Sequence, residues 1–267
     1  MSDFRKIKLF YSNHGNNFGD CLSPIICEKL SGQEIHFHSV KKSNFFAIGS
    51  ILHRLNNEFW RIRKNIWGSG HISEVERYKS PHNFYALRGK KSAYLIRNSA
   101  PESLGDPGLL VDLVLPEYRL IKKKYQLGII PHHVDQNNLE LLATLKKHPK
   151  IMFIDIRTAP LEFLKQVASC EVILSSSLHG LIAADSFGIP NKWLKISNNL
   201  IGADFKFNDY YSAFDIKTEP IYLSNICSDT TKMVCDEFYR PGIDQIKSDL
   251  IKSFPKKFLE SHNLHTE

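Results

Sequence analysis

Residues 171–190, EVILSSSLHGLIAADSFGIP, constrain the fold more than any other stretch of this chain. The apolar run at 172–174 is too short for a helix and is typical of the end of a buried strand. Any of the three serines that follow can cap a helix beginning near Leu178. Gly188 suits the left-handed position after the helix end, and Pro190 cannot continue the helix. The sequence therefore predicts a strand, a tight turn and a helix.

The first turn of this predicted helix carries His179. Free backbone N–H groups and the positive end of the helix dipole make such a turn an anion site. A histidine there adds a hydrogen-bond donor for a phosphate or a carboxylate. A histidine near a helix start is often only a polar neighbour of the cap or a hydrogen-bonded core residue, so both interpretations stay open.

The order of strand, glycine-containing turn and helix recurs along the chain. Four apolar runs end in such turns, after Ser12, Ile48, Trp67 and Leu87. Because ligands of open parallel sheets bind outside the carboxyl ends of the strands, these turns predict a binding cleft. The Gly/Asn loop at 13–20 has the layout of a phosphate-binding loop, but its spacing is neither GxGxxG nor a P-loop. A tight turn with positive φ is the alternative.

Alternation of strands and helices predicts an α/β fold with parallel sheets. The strands are expected at 7–12, 35–40, 45–51, 65–67, 84–87, 127–130, 151–156, 172–174 and 191–196. The helices are expected at 22–30, 90–96, 136–147, 160–168, 178–187 and 242–258. The polar, basic segment at 116–126 is typical of a linker between two halves of the chain.

The charge balance favours anionic partners. Lys and Arg exceed Asp and Glu by 35 − 28 = 7 in 267 residues, which suits phosphorylated substrates, nucleic acid or an acidic membrane surface. The basic residues are scattered and no nucleic-acid motif occurs, so no nucleic-acid partner is expected. The chain has five cysteines, an odd number, and their spacing includes no CxxC motif and fits no zinc site. The sequence therefore predicts reduced thiols and no metal site.

The sequence predicts a cytoplasmic protein, either free or peripheral on the inner face of the cell membrane. The N-terminus has no signal-peptide apolar region, and no apolar run is long enough to span a bilayer. Residues 52–64 combine apolar positions at helical spacing with basic and aromatic side chains. This pattern is typical of an ordinary amphipathic helix and would also suit contact with an anionic membrane.

Seven short motifs in order resemble the polysaccharide pyruvyl transferase family, and within it the short bacterial members that serve exopolysaccharide synthesis. The resemblance runs from about Ile7 to Ser197. The motifs are GNNFGD (15–20), IGS (48–50), GSG (68–70), LRG (87–89), LGDPGLL (104–110), IPHH (130–133) and SSSLHGLIAADSFGIP (175–190).

This resemblance implies two Rossmann-like domains facing across a cleft, as in GT-B glycosyltransferases. We place these domains at 1–115 and 116–241, with a C-terminal helix at 242–267 packing back towards the first. The resemblance also implies transfer of pyruvate from phosphoenolpyruvate to two hydroxyls of a sugar as a cyclic ketal. Phosphoenolpyruvate is then a co-substrate, no cofactor is expected, and the sugar acceptor is lipid-linked or nucleotide-linked.

Phosphoenolpyruvate carries a phosphate and a carboxylate, so its site needs fixed positive charge and N–H donors. We expect Arg88 to hold one group and His179, with the helix start, to hold the other, so that both line one cleft. Ketal formation needs general acids and bases, for which the candidates are His179, His132, Asp20 and Asp106. Asp106 is alternatively a turn residue before a proline. The other predicted substrate contacts are Ser176, Ser177, Leu178, Gly180, Asn17, Gly19 and Ser69.

The chain departs from the family pattern at Ser177, where many members carry an arginine that resembles a phosphoenolpyruvate ligand. Arg157, which follows a predicted strand, is the expected replacement, and the backbone N–H groups at 177–180 with His179 are the alternative. Two other functions remain open. One is a GT-B glycosyltransferase that uses a nucleotide sugar, and the other is a non-catalytic binding protein on the same fold.

Overall fold

The computed structural model describes residues 6–12, 18–55, 63–98, 100–200 and 202–259. Within these ranges ten strands and eight helices follow one another along the chain. The strands form two five-stranded sheets in which every pair of neighbours is parallel. The predicted α/β class is therefore confirmed.

The strands of the first sheet lie side by side in the order in which they occur in the sequence. They are β1 (Leu9–Phe10), β2 (Phe45–Phe46), β3 (Asn65–Trp67), β4 (Asn83–Leu87) and β5 (Ser103–Leu104). Helix α1 (Phe18–Ser31) follows β1, and α2 (Lys90–Leu95) follows β4. Both side chains of β2 are fully buried, as expected of parallel strands that are covered on both faces.

The second sheet has the strand order β10-β9-β8-β6-β7. Its strands are β6 (Tyr125–Ile130), β7 (Ile151–Phe153), β8 (Cys170–Ser175), β9 (Asn191–Lys195) and β10 (Ile221–Tyr222). The helices of this part are α3 (Leu139–Lys147), α4 (Pro160–Ala168), α5 (Leu178–Ser186), α6 (Ala203–Ser212), α7 (Thr230–Glu237) and α8 (Ile243–Lys252).

The stretch at 171–190 forms the centre of the second sheet. Strand β8 lies between β6 and β9, and α5 begins three residues after β8 ends. Every residue of α5 except His179 is buried, which fits a helix that is apolar on all sides. Gly188 has a φ of 66°, in the left-handed region predicted for the residue after this helix. The strand–turn–helix prediction is confirmed here.

The two sheets share one hydrophobic core. A single cluster of buried side chains contains Leu9 and Phe45 of the first sheet together with Ile130 and Ile173 of the second. Helix α8 packs against β5, and the indole Nε1 of Trp67 donates to the backbone oxygen of Leu250 at 3.0 Å. The division into domains at 115 and 241 and a GT-B-like arrangement of the two halves stay predictions.

Several predicted element boundaries are wrong. The strand expected at 35–40 is only an isolated bridge between Leu9 and Phe37. The helix expected at 242–258 ends at Lys252, and a 3₁₀ turn (Lys256–Phe258) follows Pro255, which lacks the N–H that a continuing helix needs.

A 3₁₀ turn (Leu52–Leu55) begins the segment at 52–64, of which 56–62 lie outside the described residues. Across the described ranges, no helix is both long and apolar enough to cross a bilayer.

Candidate active site

A cleft of about 540 Å³ lies where strand ends of both sheets meet. The first half contributes residues that follow β1 and β2 and the start of α1, and the second half contributes residues that follow β6, β7 and β8. Carboxyl ends of parallel strands are the expected place for a ligand. The polar residues among those lining the cleft are Ser12, Asp20, Ser50, His53, Arg54, His132, His133, Ser177, His179 and Lys206.

The turn between β8 and α5 is fixed by Ser175. Its O–H group donates to the backbone oxygen of Ile130 at 2.9 Å or that of Ser177 at 2.8 Å, and its oxygen accepts from the Ser177 backbone N–H at 3.0 Å. Gly180 allows this packing, because a Cβ there would lie 2.5 Å from the Ser175 Oγ. The Ser177 side chain makes no capping bond to α5. The Leu178 and His179 N–H groups are therefore the ones that can receive an anion in the cleft.

His179 faces a buried carboxylate. Its Nε2 lies 3.9 Å from Oδ2 of Asp106, and neither atom has a hydrogen-bond partner among the described residues. The other ring nitrogen, Nδ1, lies beside Gly19, where a Cβ would be only 2.2 Å away. Asp106 is fully buried, and its Oδ1 accepts from the Gly108 N–H at 2.9 Å as the cap of a 3₁₀ turn (Pro107–Leu113). Both alternatives considered for Asp106, turn residue and acid–base group, are therefore compatible with its position.

Burial and neighbouring charges move the pKa values of this pair in opposite directions. Burial raises the pKa of Asp106 to about 6, although the Gly108 N–H and the charge of Arg88 act against it. Burial, with the charges of Arg88 and Lys206, lowers the pKa of His179 to about 3. At neutral pH the imidazole is therefore uncharged, and the carboxylate is ionised but close to accepting a proton.

His132 and His133 lie side by side on the same wall, with ring centroids 4.1 Å apart and the ring planes tilted by 37°. The backbone N–H of His132 donates to Oγ of Ser176 at 2.8 Å, and the Ser176 hydroxyl donates to Oδ2 of Asp135 at 2.8 Å. Ser176 thus positions the histidine loop. Burial, followed by the charges of Lys206, His133 and His179, lowers the pKa of His132 to about 3.

Lys206, on α6, lines the cleft and is the residue that sequence reasoning missed. Its ammonium makes no hydrogen bond and no ion pair to the described residues, and lies 5.7 Å from the ring centroid of Phe207. Burial, and then the charge of Arg88, lowers its pKa to about 8. A lysine in a segment without a clear periodic pattern gave no signal, because only the fold brings it beside His132 and His179.

The structure places Arg88 behind the cleft wall. Its side chain is fully buried and donates from Nε to Oδ2 of Asp209 at 2.9 Å, from Nη1 to Oγ of Ser50 at 2.6 Å and from Nη2 to the His71 oxygen at 2.6 Å. Arg88 does not line the cleft that His179 lines. A direct contact of Arg88 with phosphoenolpyruvate stays a prediction.

The remaining predicted residues divide into two groups. Gly19, Asp20, Ser177 and Leu178 line the cleft together with His179 and His132. Three others do not line it: Arg157 is exposed, Ser69 is buried with its hydroxyl donating to the Ala47 oxygen, and Gly180 is buried beneath the turn. Asn17 lies outside the described residues.

Two further features bear on the chemistry. In the described part of the chain, no group of three or more His, Cys, Asp or Glu side chains is placed to hold a metal ion. Three aromatic residues of the first half, Phe10, Tyr11 and Phe37, line the cleft. Tyr11 and Phe37 meet edge to face, with centroids 5.5 Å apart, and Phe37 is 40% exposed.

Comparison with known proteins places these motifs in a family. The family described as polysaccharide pyruvyl transferase matches residues 14–198. The chain is 33% identical over 227 residues to an uncharacterized protein of Acanthamoeba polyphaga mimivirus, covering 80% of this chain and 77% of the viral protein.

The chain is also similar to the succinoglycan biosynthesis protein ExoV of Rhizobium meliloti (strain 1021). The two are 25% identical over 214 residues, which cover 78% of this chain and 65% of ExoV. No solved structure is significantly similar to the chain. On the match over residues 14–198 and the identity to the viral protein, the chain belongs to the polysaccharide pyruvyl transferase family.

Proposed function

We propose that this protein transfers pyruvate from phosphoenolpyruvate to two hydroxyls of a sugar, forming a cyclic ketal during polysaccharide biosynthesis. The observation that carries the proposal is the pairing of His179 with buried Asp106 at the start of α5, in a cleft with a basic wall. Family membership and the similarity to ExoV support the reaction class.

The second half of the cleft suits a small anion with two charged groups. The start of α5, with its first N–H groups, forms part of this wall, which also carries His132, His133 and Lys206. Asp20 is the one carboxylate among the described lining residues, so positive groups predominate. Phosphate and carboxylate oxygens of phosphoenolpyruvate would find hydrogen-bond donors and positive charge there.

The reaction needs proton transfers that His179 can perform. A proton adds to C3 of phosphoenolpyruvate, and C2 accepts electrons from a sugar hydroxyl, which loses its proton. The C2–O bond to phosphate then breaks, the phosphate leaves with the bonding electrons and takes up a proton, and the second hydroxyl attacks C2 and loses its proton. Two protons are taken up and two are released, so a residue that alternates between base and acid suffices.

In this scheme Asp106 orients the imidazole. A carboxylate facing Nε2 favours the tautomer that carries its proton on that nitrogen. The lone pair then lies on Nδ1, next to Gly19 at the cleft. His179 Nδ1 is therefore the proposed acceptor of the hydroxyl proton, and Asp106 is a positioning residue. The gap of 3.9 Å between Nε2 and Oδ2 would close when substrate binds, as catalytic hydrogen bonds often do.

The aromatic residues of the first half suit the sugar. Phe10, Tyr11 and Phe37 offer apolar surface beside polar groups such as Ser12 and Asp20. The C–H groups of a sugar ring carry partial positive charge and pack on the electron-rich faces of aromatic rings. The proposed arrangement thus puts the donor on the basic wall and the acceptor on the aromatic wall of one cleft.

The test is an assay of the purified protein with phosphoenolpyruvate and oligosaccharides released from the surface polysaccharide of cells that lack the gene. We expect release of inorganic phosphate together with a sugar product that contains a pyruvate ketal by mass spectrometry. His179→Gln should abolish both products, whereas His36→Gln, whose side chain is 69% exposed, should keep them. Release of a nucleotide from a nucleotide sugar would instead identify a glycosyltransferase, and binding without turnover would contradict the proposal.

A further inference from the structure

We propose that Lys206 is the cation that binds the phosphate of the donor, and that it takes the place of the arginine absent at position 177. The identity of the donor rests on the proposed function, whereas the anion site itself does not. The proposal begins with an ammonium that lacks an acceptor among the described residues.

Other buried or half-buried lysines of this protein have acceptors supplied by the fold. Lys64 donates to the Val40 oxygen at 2.9 Å, and Lys192 pairs with Oε2 of Glu237. Lys247 pairs with Oδ2 of Asp112 at 2.8 Å. A shielded ammonium without such partners loses hydration and gains nothing in return. Lys206 departs from this pattern, and it does so in the cleft.

The groups around Lys206 leave the positive charge of its ammonium without a partner. Arg88, held by Asp209, lowers its pKa, and Lys206 in turn lowers the pKa values of His132, His133 and His179. The carboxylate that acts in the opposite direction is Asp135. Asp135 already accepts hydrogen bonds from Oγ of Ser176 at 2.8 Å and from Oγ of Ser197 at 2.6 Å. A negatively charged ligand would supply the partner that the described residues do not give to the Lys206 ammonium.

The two arginines considered from the sequence are in less suitable places. The three donor nitrogens of Arg88 are each engaged within the protein. Arg157 is exposed and does not line the cleft. Lys206 lines the same cleft as Ser177 and His179, at the start of α5. An ammonium is a compact point charge that suits phosphate oxygens without needing a planar, bidentate partner.

The experiment measures binding of phosphoenolpyruvate, and separately of inorganic phosphate, by calorimetry to four proteins. Lys206→Met should weaken both affinities by about ten- to a hundredfold, the range for a lost charge-assisted hydrogen bond. Lys206→Arg should keep most of the affinity. Lys146→Met, at an exposed position of α3, is the matched control and should bind like the wild type.

A second measurement covers the case in which Lys206→Met does not fold. Because the ammonium has a pKa of about 8, anion binding should be strong below pH 8 and weaken as the pH rises through this value. Lys206→Arg should remove that loss, since a guanidinium stays charged. Unchanged affinity in folded Lys206→Met, or the same pH dependence in Lys206→Arg, would overturn the proposal.

The outcomes separate this inference from the proposed function. Lys206-dependent binding of both anions without sugar-dependent turnover would support the anion site and contradict the pyruvyl transfer. Turnover with an unchanged Michaelis constant for phosphoenolpyruvate in Lys206→Met would support the transfer and overturn the role of Lys206. Arg157→Ala should leave the affinity unchanged, and a tenfold loss there would assign the phosphate contact to Arg157 instead.

Discussion

Asp106 and His179 are two titratable groups whose shared surroundings drive both towards their uncharged forms. The pKa of Asp106 rises to about 6 and that of His179 falls to about 3, in each case mainly because the charged form loses hydration. At neutral pH the pair holds one buried negative charge that no cation contacts directly within the described residues. Such a pair lowers the free energy of unfolding and is useful for proton transfer.

Asp106→Asn should therefore stabilise the protein and inactivate it. Burial raises the folded-state pKa of Asp106 from 3.8 to about 6, so ionisation of Asp106 costs on the order of 2–3 kcal/mol of folding free energy at pH 8. Asparagine avoids this cost and can keep the hydrogen bond from Gly108. The variant should melt above the wild type at pH 8, and the difference should shrink as the pH falls from about 6 and vanish below 3.8, where Asp106 is protonated in both the folded and the unfolded state.

The kinetic readout of the same variant tests the positioning role. Loss of the carboxylate removes the preference for the Nε2–H tautomer of His179, so kcat should fall about a hundredfold or more, with a smaller change in the Michaelis constant. An active Asp106→Asn variant would show that Asp106 serves only as the cap of the Pro107–Leu113 turn.

Single residues were predictable from the sequence where a short motif placed them. His179 follows a predicted strand and Asp106 lies in the LGDPGLL motif, and the structure brings them within 3.9 Å of each other. Lys206 and the partners of Arg88 could not be found in this way. Asp209 is 121 positions from Arg88, and only the packing of α6 against α2 brings them together.

At the scale of the elements, two helix starts converge on the cleft. Helix α1 contributes Gly19 and Asp20, and α5 contributes Leu178 and His179. The first N–H of α1, that of Phe18, donates to the Ile156 oxygen at 2.7 Å, which ties the first half to the loop after β7. The lack of a side chain at Gly19 leaves room for the imidazole of His179.

Gly19→Ala should inactivate the protein without unfolding it. The added methyl would lie 2.2 Å from Nδ1 of His179, a distance that forces the imidazole to move. Alanine is the better helix former, so α1 should lose no stability from the backbone change. We expect an unchanged far-ultraviolet circular dichroism spectrum and at least a tenfold loss of kcat. Cys21→Ala, in the same turn of the helix, should remain active, and full activity of Gly19→Ala would show that His179 does not act from this position.

Strands and helices were predicted correctly where the hydrophobic pattern and the residues that begin or end an element agreed. The run before the three serines became β8, and α5 ends before Gly188 as expected. The expected strand at 35–40 failed, because the segment makes a single bridge beside the already short β1. Its aromatic side chain, Phe37, lines the cleft instead of the core. The sequence therefore predicted a strand in a segment whose aromatic residue lies at a surface that suits a ligand.

At the scale of the whole molecule, one buried ion pair joins the two halves. Arg88 follows β4 of the first sheet, and Asp209 lies on α6, which follows β9 of the second. Asp209 also accepts from the N–H and the hydroxyl of Ser92, each at 2.7 Å. Gly89 permits this close approach of α6, because a Cβ there would lie 1.7 Å from the backbone oxygen of Asp209. The pair thus holds α6, and with it Lys206, against the first half.

Arg88→Met should destabilise the whole protein. The substitution leaves the fully buried carboxylate of Asp209 without its cation, which costs roughly 3–5 kcal/mol when one partner of a buried pair is removed. The double variant Arg88→Met/Asp209→Asn should regain much of this loss, because the remaining amide is neutral and can still accept from the Ser92 N–H. Urea unfolding of the wild type, both single variants and the double variant measures the coupling. A single variant of unchanged stability with a Michaelis constant for phosphoenolpyruvate raised tenfold would instead favour Arg88 as a donor ligand, the role predicted from the sequence.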